Sequence, residues 1–309
     1  MYTVTSAYLR RDWLVWSSYR FAALFQMMTV TVVVVGVAFA GDSIITRVAD
    51  FNSSQDFASF VLAGLAFTDA LFSGLTGPSR AIRDGQTSGT LEPILLTPIR
   101  TWQFIIGSSV FQILLSFARA ALMVTAAVVF LGYWHNANVP AAVLVFVPGF
   151  AAMLGIGLLS SAFTIVVKQG DPVVAGYLAV SGLLGGTLIP VASLPAWLQS
   201  LAELLPLTHA LRGLRLALDG GGLDAVAGSV VVLTGMAIVL MPLGLWAASV
   251  ATRRARKEGS LVVYRSAGRH RRHPDVSARA VSPAPFRRTR RAGVSGRSAR
   301  GHRRRQLVG

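Results

Sequence analysis

Cysteine is absent from this 309-residue chain, lysine occurs twice and histidine five times. Each shortage excludes a chemistry. Without cysteine there is no disulfide framework and no thiolate metal site, and the redox compartment is left unmarked. A nucleotide-hydrolysing chain needs a glycine-rich phosphate cradle completed by lysine, in the spacing G-x-x-x-x-G-K-[ST]. Lys168 stands in VVKQGD and Lys257 in RRARKEGS, and neither fits. Any energy drawn from ATP has to come through another polypeptide. Hydrolysis within a membrane would need a buried serine–histidine pair, one group taking the other's proton. His135 and His209 lie between apolar runs and His270, His273 and His302 near the C-terminus, so no run holds a histidine. H-E-x-x-H is missing too, and the chain reads as a non-enzyme without a metal or a cofactor of its own.

Charge is the other shortage. Only 14% of residues are charged, against about 25% in a soluble domain. The deficit collects in runs of roughly 20 apolar residues, the length that crosses a hydrocarbon core of about 30 Å. The fold class is therefore all-α and polytopic, with six spans near 21–40, 57–76, 104–131, 141–167, 173–193 and 225–251. The net charge of +16 is confined to one place. Residues 252–309 hold 18 Lys/Arg and 2 Asp/Glu, whereas the first 251 hold 11 of each. The excess belongs to a tail and not to a nucleic-acid-binding body. Its Arg, Ser, Pro, Ala and Gly composition predicts disorder. Its charge predicts attraction to anionic headgroups, about 1 kcal/mol per basic residue near the surface, with a dispensable extension as the alternative.

Basic residues in short connections mark the cytoplasmic side. Arg10, Arg11 and Arg20 precede the first run, Arg80, Arg83 and Arg100 follow the second, and Lys168 follows the fourth. The 41–56 connection has Arg47 against Asp42, Asp50 and Asp56, and 132–140 has no Lys or Arg. This predicts both termini in the cytoplasm of a multi-pass protein of the cell membrane, the first run being an uncleaved anchor. Arg212 and Arg215 break the pattern. They follow a Pro-limited apolar stretch between Pro195 and Pro206, too short to span and typical of re-entrant helices. We expect a re-entrant segment over 194–215, its polar groups Glu203, His209, Arg212 and Arg215 at a headgroup-like boundary. A packed outer loop is the alternative. Residues 1–20 read as a surface helix, with Leu9, Trp13 and Val15 or Trp16 on one face and basic residues elsewhere. An ordinary basic flank is its alternative.

Ionisable groups inside spans are costly and usually functional. Asp69 in the second run and Arg119 in the third are the two candidates. Counting at about 1.5 Å per residue separates them by roughly 10 Å in depth, which makes them poor partners for a direct salt bridge. Both can line a pathway, and a secondary transporter or channel using them without nucleotide is the runner-up function. Gly182 and Gly186 form a G-x-x-x-G in the fifth run, and Ala151 with Gly155 a small-x-x-x-small pair in the fourth, the pattern of close helix contacts in lipid. Such a face suits a dimer.

The connection GPSRAIRDGQTSGTLEPILLTPIRTW (residues 77–102) is neither a span nor an ordinary polar loop. Gly77 and Pro78 are expected to end the second span. Leu91, Ile94 and Leu95 then share a face that is a liability in water unless it docks on a partner, the membrane surface being the other place for it.

These residues carry a resemblance. RDGQTSGTLEPILLTP (Arg83–Pro98) resembles the cytoplasmic coupling helix of ABC-2 type transporter permeases, with its R-D/E-x-x-x-x-G-T-L-E-x-L-L-x-T-P pattern. Gly182–Arg215, ending in P-L-T-x-x-L-x-x-L-R, is similar to that family's fifth span and outer re-entrant segment. The resemblance covers roughly 5–255. It implies a six-span permease domain over 21–251, an interface helix over 1–20, and a homo- or heterodimer that exports a lipid, glycan or lipophilic drug. It also implies a separate ABC ATP-binding subunit, which binds the ATP and docks on Gly89, Thr90, Leu91, Glu92, Leu95, Leu96, Thr97 and Pro98. Membrane lipids are further partners; nucleic acid is not. The chain departs from the family at Thr87, where an acid is common, at Pro93 inside the motif, and in its long basic tail.

Overall fold

The computed structural model describes residues 54–89, 101–132, 136–167 and 171–257, with isolated helical positions among residues 10–39. The chain divides into a unit of residues 1–264 and one of 265–309, and every described residue belongs to the first. Among the described residues there are helices and no strand. They are α1 (Ser54–Thr87), α2 (Thr101–Leu131), α3 (Val139–Val167), α4 (Pro172–Leu184), α5 (Ala196–Ala202), α6 (Pro206–Leu218) and α7 (Leu223–Lys257). A 3-10 turn, Val191–Ser193, precedes α5.

Helices α1, α2, α3 and α7 are long and apolar enough to cross a membrane. Apolar residues meet along α1, α3 and α7, which run in one direction, while α2 runs the other way. One end of this bundle carries Arg80, Arg83, Arg253 and Arg254, and the opposite end Asp56, Asp219 and Asp224. Ile82, Ile105, Leu158 and Ile165 pack with Ala248 and Ala251 near the basic end. Val34, one of the few described residues of the first apolar run, packs with Ala58, Leu62, Ala66, Met123 and Ala127 near the opposite end. Between them Leu71, Val145, Met153 and Leu233 surround Leu207, Leu211 and Leu214 of α6.

Two span boundaries differ from the sequence expectation. Pro78 does not end the second span, since α1 continues through it to Thr87. The ring removes a donor from the helix and frees the carbonyl of Gly74, which lies against Gly157 of α3. Nearby hydroxyls add bonds along the helix, with Ser73 donating to Ala70 O at 2.6 Å and Thr76 to Phe72 O at 2.9 Å. The fifth run is also not one helix. Asp171 caps the start of α4 by accepting from Val174 N, and α4 then stops after 13 residues. At about 1.5 Å per residue that is roughly 20 Å, short of a bilayer core. Gly186 at φ 78° turns the chain out of the helix, a conformation that favours glycine.

Small residues bring the helices together. An added Cβ at Gly155 would lie 2.7 Å from the α7 backbone at Leu240, and one at Gly244 would lie 2.5 Å from Gly155 O. At Gly157 it would lie 2.5 Å from both Gly74 O and Leu75 O. Those obstacles are backbone and have no rotamer to escape into. Gly157→Ala should therefore destabilise the bundle by about 1–3 kcal/mol and lower the melting temperature of the detergent-solubilised protein. Gly235→Ala, at a site with nothing within 4 Å, should leave it unchanged.

Candidate functional site

Halfway along α1, Asp69 meets Arg119 of α2. Arg119 donates from Nε to Asp69 Oδ2 at 3.0 Å and from Nη2 to Oδ1 at 3.1 Å, and Nη2 also reaches Ser116 Oγ at 2.7 Å. The expectation that these residues are poor partners is thus corrected. It aligned the two helices at cytoplasmic ends that α1 overshoots. Counted from the opposite end, Asp69 lies 15 residues after Ser54 and Arg119 12 residues before Leu131. That difference is about 5 Å in depth, within the reach of an arginine. The pair is open on one side, with 24% of the Arg119 and 46% of the Asp69 side chain exposed. Two residues before Arg119 on α2, Phe117 lies 5.0 Å from Phe146 and 5.5 Å from Phe150 between centroids.

One residue earlier on α1, Thr68 Oγ1 lies 3.2 Å from Thr187 Oγ1, in the non-helical stretch after α4. Arg215 of α6 donates from Nη2 to Thr187 O at 3.3 Å and to Phe60 O at 3.2 Å, its guanidinium 3.4 Å from the centre of the Phe60 ring. Buried Nε of Arg215 has no partner among the described residues. Gly64 makes this approach possible, because a Cβ there would strike the Thr187 carbonyl and stand 2.8 Å from Arg215 Nη2.

Of the four polar groups assigned together to one boundary from sequence, Glu203, His209 and Arg212 stay together and Arg215 leaves them. Arg212 is exposed and pairs with Glu203 in the turn before α6. That hydrogen bond holds the Glu203 carboxyl below its usual range. His209 is buried, its Nε2 2.8 Å from Glu203 O. Arg215 enters the bundle. No sequence signal separates Arg215 from Arg212, since both stand in the run LRGLRLAL. Neither Thr68 nor Thr187 carried one.

The expected glycine face is not present. Gly182 is exposed, with nothing within 4 Å of an added Cβ, whereas Gly186 is buried beyond the end of α4. A G-x-x-x-G lines up only on a continuous helix, and this helix ends between the two. Gly155 of the second expected pair does make a close crossing, with α7. Gly89, the first residue of the expected docking set, ends the chain's exit from α1 at φ 67°. Thr90, Leu91, Glu92, Leu95, Leu96, Thr97 and Pro98 lie outside the described residues, as do most of the surface-helix segment 1–20 and the tail beyond Lys257.

The 26% identity of residues in one 165-residue stretch links the chain to the probable multidrug ABC transporter permease YbhR of Escherichia coli strain K12. The stretch covers 52% of this chain and 43% of that relative, so the match spans less than half of the relative's length. The protein of the same name from Escherichia coli O157:H7 matches to the same extent. The sequence profile of the ABC-2 type transporter family matches residues 1–218. The chain belongs to the ABC-2 type transporter family, and it is a membrane protein of transport.

Proposed function

We propose that this chain is the membrane-spanning subunit of an ATP-driven exporter. A separate ATP-binding subunit docks on residues 84–98, and a second permease copy or paralogue completes the translocation path. The half-exposed Asp69–Arg119 pair carries this reading. A charge pair at mid-depth of apolar helices is too costly to face hydrocarbon, so its open side requires a protein neighbour or a water-filled path. Gly182, exposed on α4, is open to a neighbour, and Gly186 belongs to the break after that helix. Termini in the cytoplasm agree with the basic end of the bundle. Helices α4 and α6, with the break and α5 between them, act as a fifth span and its re-entrant segment. Broken backbone of this kind is tolerated in a membrane only where protein or a water-filled cavity surrounds it. The relative's description as a multidrug permease supports lipophilic cargo, with lipids and glycans as the wider class.

The test is a tagged purification from native membranes in mild detergent, with protein identification and an ATPase assay. A stoichiometric ATP-binding subunit that hydrolyses ATP in the complex is the expected result. No such subunit, together with transport that survives ATP depletion and collapses with the proton gradient, would replace this reading with a secondary transporter using Asp69 and Arg119.

A further inference from the structure

We propose that the non-helical stretch 185–189 is a movable joint against α1, with Arg215 as the positioning residue that holds it shut. The functional half of this inference rests on the transporter reading above; the mechanical half does not. The argument begins with the break itself. Helix α4 ends at Leu184, yet Gly185, Gly186 and Thr187 are buried. Backbone groups buried without helical partners must find others. For Thr187 the partners are on two different elements, its carbonyl accepting from Arg215 and its hydroxyl meeting Thr68.

The grip is of a releasable kind. Helix α6 is fixed by its leucines, Leu207, Leu211 and Leu214 being enclosed by apolar residues of α1, α3 and α7. The stretch itself is held by a hydroxyl contact to Thr68 of α1 and a carbonyl bond from Arg215 of α6, and its last two residues, Leu188 and Ile189, are half-exposed. Arg215 faces no carboxylate within salt-bridge distance among the described residues. A carbonyl accepts a guanidinium bond less strongly than a carboxylate does, so letting go of Thr187 breaks no buried ion pair. Arg215 would stay on Phe60 O and its ring while Thr187 departs. Gly64 is the complementary feature, since the stretch can close on α1 only where α1 has no side chain. Two backbones, one arginine and one glycine thus make a close contact whose release at Thr187 costs hydrogen bonds and no ion pair.

The natural absence of cysteine makes the test direct. The full-length double variant Thr68→Cys/Thr187→Cys places two thiols where the hydroxyls meet. Oxidation with copper phenanthroline in membranes is followed by loss of maleimide–polyethylene glycol labelling on a gel. We expect rapid cross-linking when Arg215 is present. Adding Arg215→Gln, or separately Gly64→Ala, should slow it about tenfold, the change that loss of one charge-assisted hydrogen bond brings. Variants are compared only where the detergent-solubilised protein elutes as a single species. ATP hydrolysis by the complex, and export of a lipophilic dye from cells, should be lost in the oxidised pair and return with dithiothreitol. Equal cross-linking rates in all three backgrounds would overturn the role of Arg215. Full activity of the cross-linked pair would show the joint to be static. Should no ATP-binding subunit accompany even the reduced protein, the transporter reading fails, while the cross-linking rates still decide whether Arg215 holds the stretch.

Discussion

Arg119→Leu is expected to reduce export by about 100-fold while leaving the protein inserted in the membrane. Leucine fits lipid and helix alike, so the damage would come from what it leaves behind. Asp69 would lose both bonds from Arg119 and remain half-open at mid-depth, and an unpaired charge there costs about 3 kcal/mol. At 1.4 kcal/mol per tenfold, that is the stated loss of whichever state needs the carboxylate ionised. Arg119→Lys separates two roles. Lysine keeps the charge but cannot offer the fork that engages both carboxylate oxygens. If neutralising Asp69 is all that Arg119 does, lysine restores export; if the geometry of the path wall matters, it does not. The neutral pair Asp69→Asn/Arg119→Gln should restore thermal stability to the wild-type value and leave export low. Export normalised to inserted protein, beside melting of the solubilised protein, reads each case. Wild-type export by the neutral pair would make the two residues a structural clasp and remove them from the path.

Sequence misplaces this pair because hydropathy marks where apolar runs lie and not where helices end. The apolar runs behind α1, α2, α3 and α7 were legible, because 20 apolar residues have one economical conformation in lipid. Helix ends were not legible. Hydropathy falls where Arg80 and Arg83 begin, but the hydrogen-bond ladder continues to Thr87, and the depth of Asp69 was counted from the wrong end. Pro78 misleads for a related reason: a proline inside a helix costs a bond and bends it without having to end it, and Gly157 leaves room beside the freed carbonyl. The break after Leu184 was hidden in the opposite way. Gly185 and Gly186 lie in a run as apolar as a span, and nothing in hydropathy distinguishes a helix from buried broken backbone. Arg215 and Arg212 were equivalent in composition, three residues apart. Only the room left by Gly64 sends one into the bundle while the other stays with Glu203.

Leu95→Asp is expected to remove the ATP-binding subunit from the purified protein altogether. The structural half of the argument lies just upstream. Helix α1 runs nine residues past Pro78, about 14 Å at 1.5 Å per residue, carrying the chain beyond the basic end of the apolar core. It is finished locally, Thr87 Oγ1 donating to Arg83 O at 3.1 Å and Ser88 Oγ to Asp84 O at 2.6 Å. Gly89 then takes the left-handed conformation usual just past a helix end, and its amide reaches Gln86 O at 3.3 Å. The helix thus ends beyond the basic end of the bundle, the side where a soluble subunit would approach. Burying a leucine contributes about 2–3 kcal/mol, and an aspartate in its place adds the cost of an unpaired charge, so affinity should fall at least about 100-fold. Glu92→Arg should act in the same direction by reversing the one acid of the segment. Gly89→Val tests the support separately, because a β-branched residue at positive φ is strained and would re-aim the segment without altering its surface. A graded result, with Leu95→Asp at background and Gly89→Val between it and wild type, would assign binding to 90–98 and aim to α1. Undiminished recovery of the subunit with Leu95→Asp would mean that the two chains meet elsewhere, and that the apolar face of this segment lies on the membrane.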